Sequence, residues 1–282
     1  MIENDNLIHD LRLMANTIRK DIVTTARDCS EGVHAGGSLS IAEVLAVLFF
    51  SVLKIDPQNP KDPHRDRFIL SKGHANIGLS SAMARKGFFS VDELKRFNQL
   101  GAPLSMHVDM HRMPGVEISS GSLGHGLPVA VGMALAGKLD KAAWKVYTIV
   151  SDGEMMEGSC WEAMMAAANY NLNNLTMVMD RNRFCLDGPT ESIMKLEPFE
   201  DKLRAFGWRV ISVDGHDVAA LLKAFTDDAP GDMRPRVIVC NTVKGKGVSF
   251  LENTAASHFA QLNAEKAAIA LAELAAARAA IE

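Results

Sequence analysis

Strand-like and helix-like patterns alternate along most of the chain, and this alternation is the feature that most restricts the fold. Short apolar runs typical of buried strands are followed by helical stretches and then by further apolar runs. The predicted strands are residues 67–71, 145–150, 175–179, 208–213 and 237–241, and the predicted helices that separate the last four are residues 157–171, 198–206 and 217–226. Such alternation predicts an α/β fold with a mostly parallel sheet and helices on both faces.

Helices are also predicted at both ends of the chain. Apolar residues three and four positions apart predict an amphipathic helix over residues 7–28, and a second apolar helix is predicted over 40–53, after a glycine-rich bend. The Ala-rich residues 263–282 predict a terminal helix. With 282 residues, 48% of them apolar, we expect one large domain over residues 1–262 followed by this helix.

Charge and apolar runs exclude several classes of function. Lys and Arg together number 30 and Asp and Glu 34, so no basic surplus favours nucleic acid. The most apolar run, residues 44–53, is far shorter than the ~20 residues of a membrane helix, and the polar N-terminus does not resemble a signal peptide. The four cysteines form no Cys-x-x-Cys pair, which argues against a zinc cluster. We expect a cytoplasmic protein with neither a nucleic acid nor a membrane partner.

Two polar residues follow neighbouring predicted strands and indicate a metal site. Asp152 and Asn182 lie thirty positions apart, the length of one strand–helix–strand unit, so both side chains should meet at one edge of the sheet. Together with a backbone carbonyl near Phe184 they offer hard oxygen ligands suited to Mg²⁺ or Ca²⁺. Gly153 would let the backbone approach a phosphate, with the N-terminus of the following helix pointing to the same place. An Asp-Gly pair alone is usually a turn; the pairing with Asn182 favours the site.

The sequence around these residues resembles the thiamine diphosphate-binding motif, and residues 11–258 resemble the N-terminal domain of transketolases. Further motifs follow in that family's order, namely Gly32-Val33-His34, Ser71-Lys72-Gly73-His74, His107, Gly121-Ser122-Leu123-Gly124, Asp214-Gly215-His216-Asp217, Lys244-Gly245-Lys246-Gly247 and His258. Three positions depart from the family pattern. Ser151 replaces the first glycine of the metal motif, His125 replaces a glutamine, and the proline of the family's Gly-His-Pro-Gly loop is absent after His34.

The resemblance implies a role for each matching residue. Asp152, Asn182 and the carbonyl of Phe184 would hold Mg²⁺, for which Ca²⁺ is a possible substitute. His34, His107 and His258 would transfer protons and bind substrate hydroxyls, as neutral histidines can near pH 7. The residues expected to contact thiamine diphosphate are His74, Gly121, Ser122, Leu123, Gly153, Glu157, Asn182 and His258.

The resemblance also implies an activity and a partner. Transketolases transfer a two-carbon ketol unit from a ketose phosphate to an aldose phosphate, as in pentose phosphate metabolism. A full-length transketolase has three domains, and this chain is long enough only for the first. The family's second domain carries the glutamate that activates the cofactor. We therefore expect a natural gene product, rather than a fragment, that works with a separate C-terminal subunit in an α2β2 heterotetramer.

Two alternatives to this function stay open at the level of sequence. The chain could belong to another thiamine diphosphate enzyme, such as a 2-oxo acid dehydrogenase or a deoxyxylulose phosphate synthase. Those enzymes share the metal motif but not the histidines at positions 34, 107 and 258. The chain could also be a non-catalytic module of the same fold, although the intact metal ligands argue against this.

Two further groups are interpreted as structural. Met155, Met156, Met164 and Met165 are predicted to pack in the core. The segment that begins at Lys244 lacks the first glycine and the Ser or Thr of a phosphate-binding loop, and it is predicted to be a turn after a strand.

Overall fold

A parallel sheet forms the centre of the protein. The structure, a computed structural model, describes residues 2–282, with side chains from Asp5 onward. Within this range the strands form one five-stranded sheet in the order β1-β2-β3-β5-β4, with every neighbouring pair parallel. The strands are β1 (Arg67–Leu70), β2 (Val146–Ser151), β3 (Leu175–Arg181), β4 (Arg209–Asp214) and β5 (Arg236–Asn241). The prediction of an α/β fold with a parallel sheet is confirmed.

Helices cover both faces of this sheet. They are α1 (Ile2–Asp28), α2 (Ala35–Leu39), α3 (Ala42–Val47), α4 (Asn76–Lys86), α5 (Gly126–Leu139), α6 (Gly158–Asn169), α7 (Thr190–Ile193), α8 (Phe199–Ala205), α9 (Val218–Thr226) and α10 (Ala264–Ile281). One apolar core packs α1, α3, α4 and α9 on one face of the sheet. A second core packs α5, α6 and α8 on the other face.

The predicted strands and helices agree with the structure to within a few residues, except near residue 40. There the predicted helix over 40–53 is divided into α2, α3 and a π-helical turn, Leu48–Val52. The glycine-rich bend is shorter than expected because Gly36 lies inside α2. A Cβ on Gly36 would be 2.7 Å from the carbonyl oxygen of Ser257, so only glycine allows this close approach.

The two helices that precede β2, α4 and α5, were not predicted. The reason is clearest for α5, whose outward face is apolar as well: Val129 and Leu139 are exposed. With apolar residues all around, α5 lacks the one-sided pattern on which the prediction of a surface helix depends.

The terminal helix is present as predicted. It packs against α1, where the side-chain amide of Asn16 donates to the carbonyl of Leu274 at 3.1 Å. Two of the four methionines, Met155 and Met164, are fully buried as expected. For Met165 the prediction was wrong, because it lies on the outer face of α6 and is 57% exposed.

The cysteines and the apolar helices can be located among the described residues. Cys29, Cys160 and Cys240 are buried free thiols, whereas Cys185 is half-buried. Between residues 2 and 282, none of the helices combines the length and the apolar character needed to cross a membrane.

Candidate active site

A cavity of about 330 Å³ lies at the carboxyl edge of the sheet. This edge is where ligands bind in parallel α/β folds, because the loops that follow the strands converge there. The cavity brings together most of the predicted site residues from distant parts of the sequence. Those that line it are His34, His74, His107, Gly121, Leu123, Gly153, Asn182, Phe184 and His258.

Four histidines meet on one side of the cavity. The ring of His34 lies at the centre, with centroids 5.3 Å from His74, 5.6 Å from His107 and 5.2 Å from His258. The ring of Phe259 packs edge-on against His34 at 5.0 Å. The grouping predicted for positions 34, 107 and 258 is therefore present, and His74 joins it.

Backbone pairing explains how His34 and His258 come together across more than two hundred residues. Val33 and Ala260 exchange two backbone hydrogen bonds, of 2.9 and 2.8 Å, in an isolated antiparallel bridge. This bridge places the residue after Val33 beside the short 3₁₀ turn Ala255–His258. The two histidines are thus held by backbone hydrogen bonds rather than by side-chain packing alone.

Burial keeps His34 and His258 neutral at pH 7. Burial, assisted by the nearby His107, lowers the pKa of His34 to about 4. Burial, followed by the charges of Lys244, His34 and Lys72, lowers the pKa of His258 to about 4 as well. The Nδ1 atom of His34 is buried and has no hydrogen-bond partner within the described chain. Because Nδ1 is shielded from solvent, Nε2 is the ring nitrogen of His34 that remains to exchange a proton with a substrate.

The predicted cation ligands also lie close together. Ser151 pairs with Asp180 in the β2–β3 ladder, so Asp152 and Asn182 follow at adjacent points of the sheet edge. Asp152 is fully buried, and its Oδ2 accepts from the backbone N–H of Arg183 at 2.5 Å and from Nη1 of Arg181 at 3.0 Å. Burial, reinforced by the neighbouring Asp180, raises the pKa of Asp152 to about 6, and Arg181 opposes this rise.

The remaining predicted ligands, Asn182 and Phe184, lie at the same edge of the sheet. Oδ1 of Asn182 accepts from the backbone N–H of Phe184 at 3.0 Å, and a Cβ on Gly153 would be 3.7 Å from the Phe184 carbonyl oxygen. Within the described residues no group of three or more His, Cys, Asp or Glu side chains could hold a metal. The predicted set needs only one carboxylate, since its other ligands are an amide and a backbone oxygen. Hard oxygen donors of this kind fit Mg²⁺.

Three predicted site residues lie outside the cavity lining. Asp152 sits beneath it, whereas Ser122 and Glu157 are exposed on the surface nearby. The expected helix N-terminus is also displaced. A 3₁₀ turn, Gly153–Met156, follows β2, and α6 begins only at Gly158.

Two lysines that were not predicted as site residues line the cavity. Lys72 is fully buried, and its Nζ lies 2.6 Å from the Asp180 carboxylate. Nζ of Lys244 donates to the carbonyl of Cys185 at 2.9 Å and lies 3.4 Å from Nδ1 of His258. Burial and the charge of Lys72 lower the pKa of Lys244 to about 8. The segment at Lys244 is a turn, as predicted, but its lysine points into the site.

Comparison with known proteins identifies the family. Residues 10–277 match the family described as "Transketolase, thiamine diphosphate binding domain". The chain belongs to the transketolase family. It is 46% identical to the 6-deoxy-6-sulfo-D-fructose transketolase subunit SqwG of Clostridium sp. (strain MSTE9), over 94% of this chain and 96% of that relative. It is 39% identical to one of the subunits of the apulose-4-phosphate transketolase of Phocaeicola vulgatus, over 92% of each chain.

Solved structures of transketolases share this fold. The Campylobacter jejuni transketolase matches with a TM-score of 0.85 and 28% identity over 98% of this chain, but over only 46% of its own length. A Pichia stipitis transketolase matches with a TM-score of 0.85 and 27% identity, over 40% of its length. This chain therefore spans less than half the length of these transketolases. It is the N-terminal, thiamine diphosphate-binding subunit of a transketolase, the class of transferase that moves two-carbon ketol units.

Proposed function

We propose that the cavity holds thiamine diphosphate together with Mg²⁺, and that this chain and a second subunit transfer a ketol unit between sugars that carry an anionic group. The observation that carries this proposal is the convergence of His34, His107 and His258 on the side of the cavity next to the candidate cation ligands. This combination of groups favours a transketolase over the other thiamine diphosphate enzymes considered above.

The carboxyl edge of β2 and β3 supplies the cation site in this proposal. Asp152 and Asn182 offer side-chain oxygens, and Phe184 offers its carbonyl. A divalent cation held by these oxygens neutralises part of the diphosphate charge. Gly153 lines the cavity without a side chain, so a phosphate oxygen is free to approach its backbone.

Lys244 and His74 complete the proposed diphosphate site. Lys72 is already neutralised by Asp180, whereas Lys244 contacts a carbonyl and a ring nitrogen, and no described carboxylate forms an ion pair with it. Its charge is therefore available to an anion in the cavity. His74 and His258 offer ring N–H groups on the same side, with their centroids 5.2 Å apart.

The histidines perform the proton transfers in the proposed reaction. Thiamine diphosphate, when bound, supplies the carbon that adds to the ketose and a ring that delocalises the resulting negative charge. The protein must remove and return protons at hydroxyl and carbonyl oxygens of the sugars. His34 lines the cavity and is placed to accept such a proton, and His107 and His258 are placed to bind neighbouring hydroxyls.

A second subunit is required to complete this enzyme. The two relatives described above are named as subunits, and this chain spans less than half of the solved transketolases. Glu157 is exposed near the cavity, where the resemblance to the family implies a contact across a subunit interface. We expect the partner to be a C-terminal transketolase chain, and the assembly to be an α2β2 heterotetramer.

A ketol-transfer assay tests the proposed function. Xylulose 5-phosphate and ribose 5-phosphate are supplied with thiamine diphosphate and Mg²⁺ to this chain, to the product of the neighbouring gene, and to their mixture. We expect transfer only in the mixture, and none when Asp152→Ala replaces the native chain. Activity of this chain alone would contradict the need for a partner. A mixture that binds the cofactor but does not use these sugars would redirect the assignment to ketoses with another anionic group, such as a sulfonate.

A further inference from the structure

Glu154 is a buried carboxylate at the cavity for which the proposed reaction has no role. It lies in the 3₁₀ turn after β2, its side chain is fully buried, and it borders the cavity. Oε1 accepts from the hydroxyl of Ser71 at 2.6 Å and from the backbone N–H of Gly124 at 2.9 Å, and Oε2 accepts from the backbone N–H of Ser151 at 3.3 Å. One side chain thus joins the ends of β1 and β2 to the loop that precedes α5.

This loop, residues 119–125, carries two of the residues expected to contact the cofactor, Gly121 and Leu123. We propose that Glu154 is a positioning residue that fixes this loop, so that Gly121 and Leu123 meet the ring end of thiamine diphosphate and not its diphosphate. The proposal rests on the proposed function, because that function places the cofactor in this cavity.

The loop depends on side chains around it, since it contains turns but no helix or strand. The carboxylate of Glu154 holds the N–H of Gly124, and the hydroxyl of Ser159 donates to its carbonyl at 2.7 Å. Gly124 has a φ of +80°, and a Cβ there would be 2.5 Å from Oγ of Ser159. The packing at Gly126 is equally close, because a Cβ would be 2.3 Å from Oγ of Ser71. These close contacts hold the loop in one arrangement, and the carboxylate of Glu154 is central among them.

The chemistry of the contacts indicates why a carboxylate is needed. Its three partners, Ser71, Gly124 and Ser151, all donate hydrogen bonds, and a carboxylate has only acceptors to offer. A glutamine in the same place would direct its NH₂ group at one of these donors. Burying a charge without such partners is costly, so an apolar residue would serve a merely structural turn better. The position therefore fits a group that orients its neighbours.

The test compares Glu154→Gln with the matched control Asp66→Asn. Asp66 is also a buried carboxylate that accepts two backbone N–H groups, from Lys54 at 2.9 Å and Lys145 at 2.8 Å, but it lies at the opposite end of β1. Binding of thiamine diphosphate and of inorganic diphosphate, each with Mg²⁺, is measured by calorimetry on the full chain. We expect Glu154→Gln to weaken thiamine diphosphate binding about 10-fold or more, as for a lost hydrogen bond to a charged group. Inorganic diphosphate should bind unchanged, and Asp66→Asn should change neither affinity.

A second measurement decides the anchoring role without any cofactor. Hydrogen exchange of backbone amides, followed by NMR, should show faster exchange at Gly124 in Glu154→Leu, which offers no acceptor, with the amides of β3 unchanged. Equal protection of Gly124 in both proteins would overturn the proposal, and so would an equal loss of affinity for both ligands. If the native chain mixed with the second subunit binds neither ligand, the proposed cofactor site fails, while the exchange at Gly124 still decides whether Glu154 holds the loop.

Discussion

The carboxylate of Asp152 can accept one further contact although three donors already contact it. Oδ1 accepts from the N–H of Gly153 at 2.8 Å, and Oδ2 accepts from Arg181 and Arg183. A carboxylate offers about four lone-pair sites, so one remains. Asn182 is similar, because its Oδ1 accepts one N–H and has a second lone pair. These contacts hold both oxygens in place before a cation arrives.

Replacing Asp152 by alanine is expected to abolish Mg²⁺-dependent binding of thiamine diphosphate. Substitution of residues that hold a metal ligand in place lowers metal affinity roughly 10–100-fold. Removal of the ligand itself should therefore lower the affinity by more than about 100-fold. The chain should stay folded, because Arg181 keeps its contacts with Glu191 and Glu197. Calorimetry measures the affinity and circular dichroism the fold. The control Asp217→Ala removes an aspartate that caps α9 away from the cavity, and an affinity unchanged in both variants would contradict the cation site.

Replacing His34 by asparagine is expected to slow the reaction without releasing the cofactor. A side chain that transfers a proton contributes about 10²–10⁴-fold to the rate, so kcat should fall at least about 100-fold. Steady-state kinetics on the assembled enzyme measure kcat and KM, and calorimetry measures cofactor affinity. His64→Asn is the control, because His64 is exposed and lies outside the cavity lining. An unchanged kcat with weaker cofactor binding would assign His34 to the cofactor site instead.

At the residue scale, the sequence predicted groups whose position follows from strand ends or from family motifs. Asp152 and Asn182 could be found because parallel strands end at one edge. Lys244 and Glu154 could not, because their importance depends on burial in the folded chain. Lys244 lies in a segment typical of a surface turn. Glu154 directly follows Asp152 and Gly153, and the metal motif assigns it no role. A lysine and a glutamate are rarely buried, so the usual expectation is exposure.

At the scale of elements, a buried ion cluster joins α1, α3 and the loop after β4. Glu43 in α3 accepts two hydrogen bonds of 2.6 Å from Arg19 of α1 and lies 3.0 Å from Nδ1 of His216. Burial alone would raise the pKa of Glu43, but the charge of Arg19 and the hydrogen bonds from His216 and Arg19 lower it to about 2. The cluster therefore depends on an ionised Glu43.

Stability should depend on pH through this carboxylate. Its pKa in the folded chain lies below its ordinary value of 4.5, so its contribution is complete above that value and is lost as the pH falls toward about 2. Glu43→Gln should lower the free energy of unfolding by ~3–5 kcal/mol at neutral pH, as when one partner of a buried pair is removed. Urea unfolding at several pH values should show the difference between the two proteins shrinking below pH 4.5. A difference independent of pH would contradict the role of the charge.

At the scale of elements, a helix could be predicted when its apolar residues lay on one side, and a strand when its apolar run was short and buried. The strands β2, β3 and β5 were predicted because nearly all their residues are buried and apolar, with polar residues at the ends. Helix α5 was missed because its outward face is apolar too. The outer face of α5 lies next to the loop of residues 119–125. Its apolar character is explained if another chain covers it, as the proposed assembly requires.

At the scale of the whole molecule, the chain carries the proposed cation ligands and the four histidines but leaves the cavity open. The exposed apolar side chains of Leu186 and Ile193 border this cavity directly. Such residues at the mouth of a site are more consistent with a covered interface than with a free surface. These two side chains support the proposal that a second subunit supplies one wall of the cofactor site.

Cofactor and partner should therefore strengthen each other's binding by the same factor. If the partner closes the cavity over thiamine diphosphate, the affinity of this chain for the cofactor must rise when the partner is present. Linkage then requires the affinity for the partner to rise equally when the cofactor is present, typically by about 5–150-fold. Calorimetry of each binding step, with and without the other ligand, measures both ratios. Asp152→Ala should bind the partner as the cofactor-free protein does and show no increase when thiamine diphosphate is added. If the partner leaves the cofactor affinity unchanged, the site is complete within this chain, and the proposed division of the active site between two subunits is wrong.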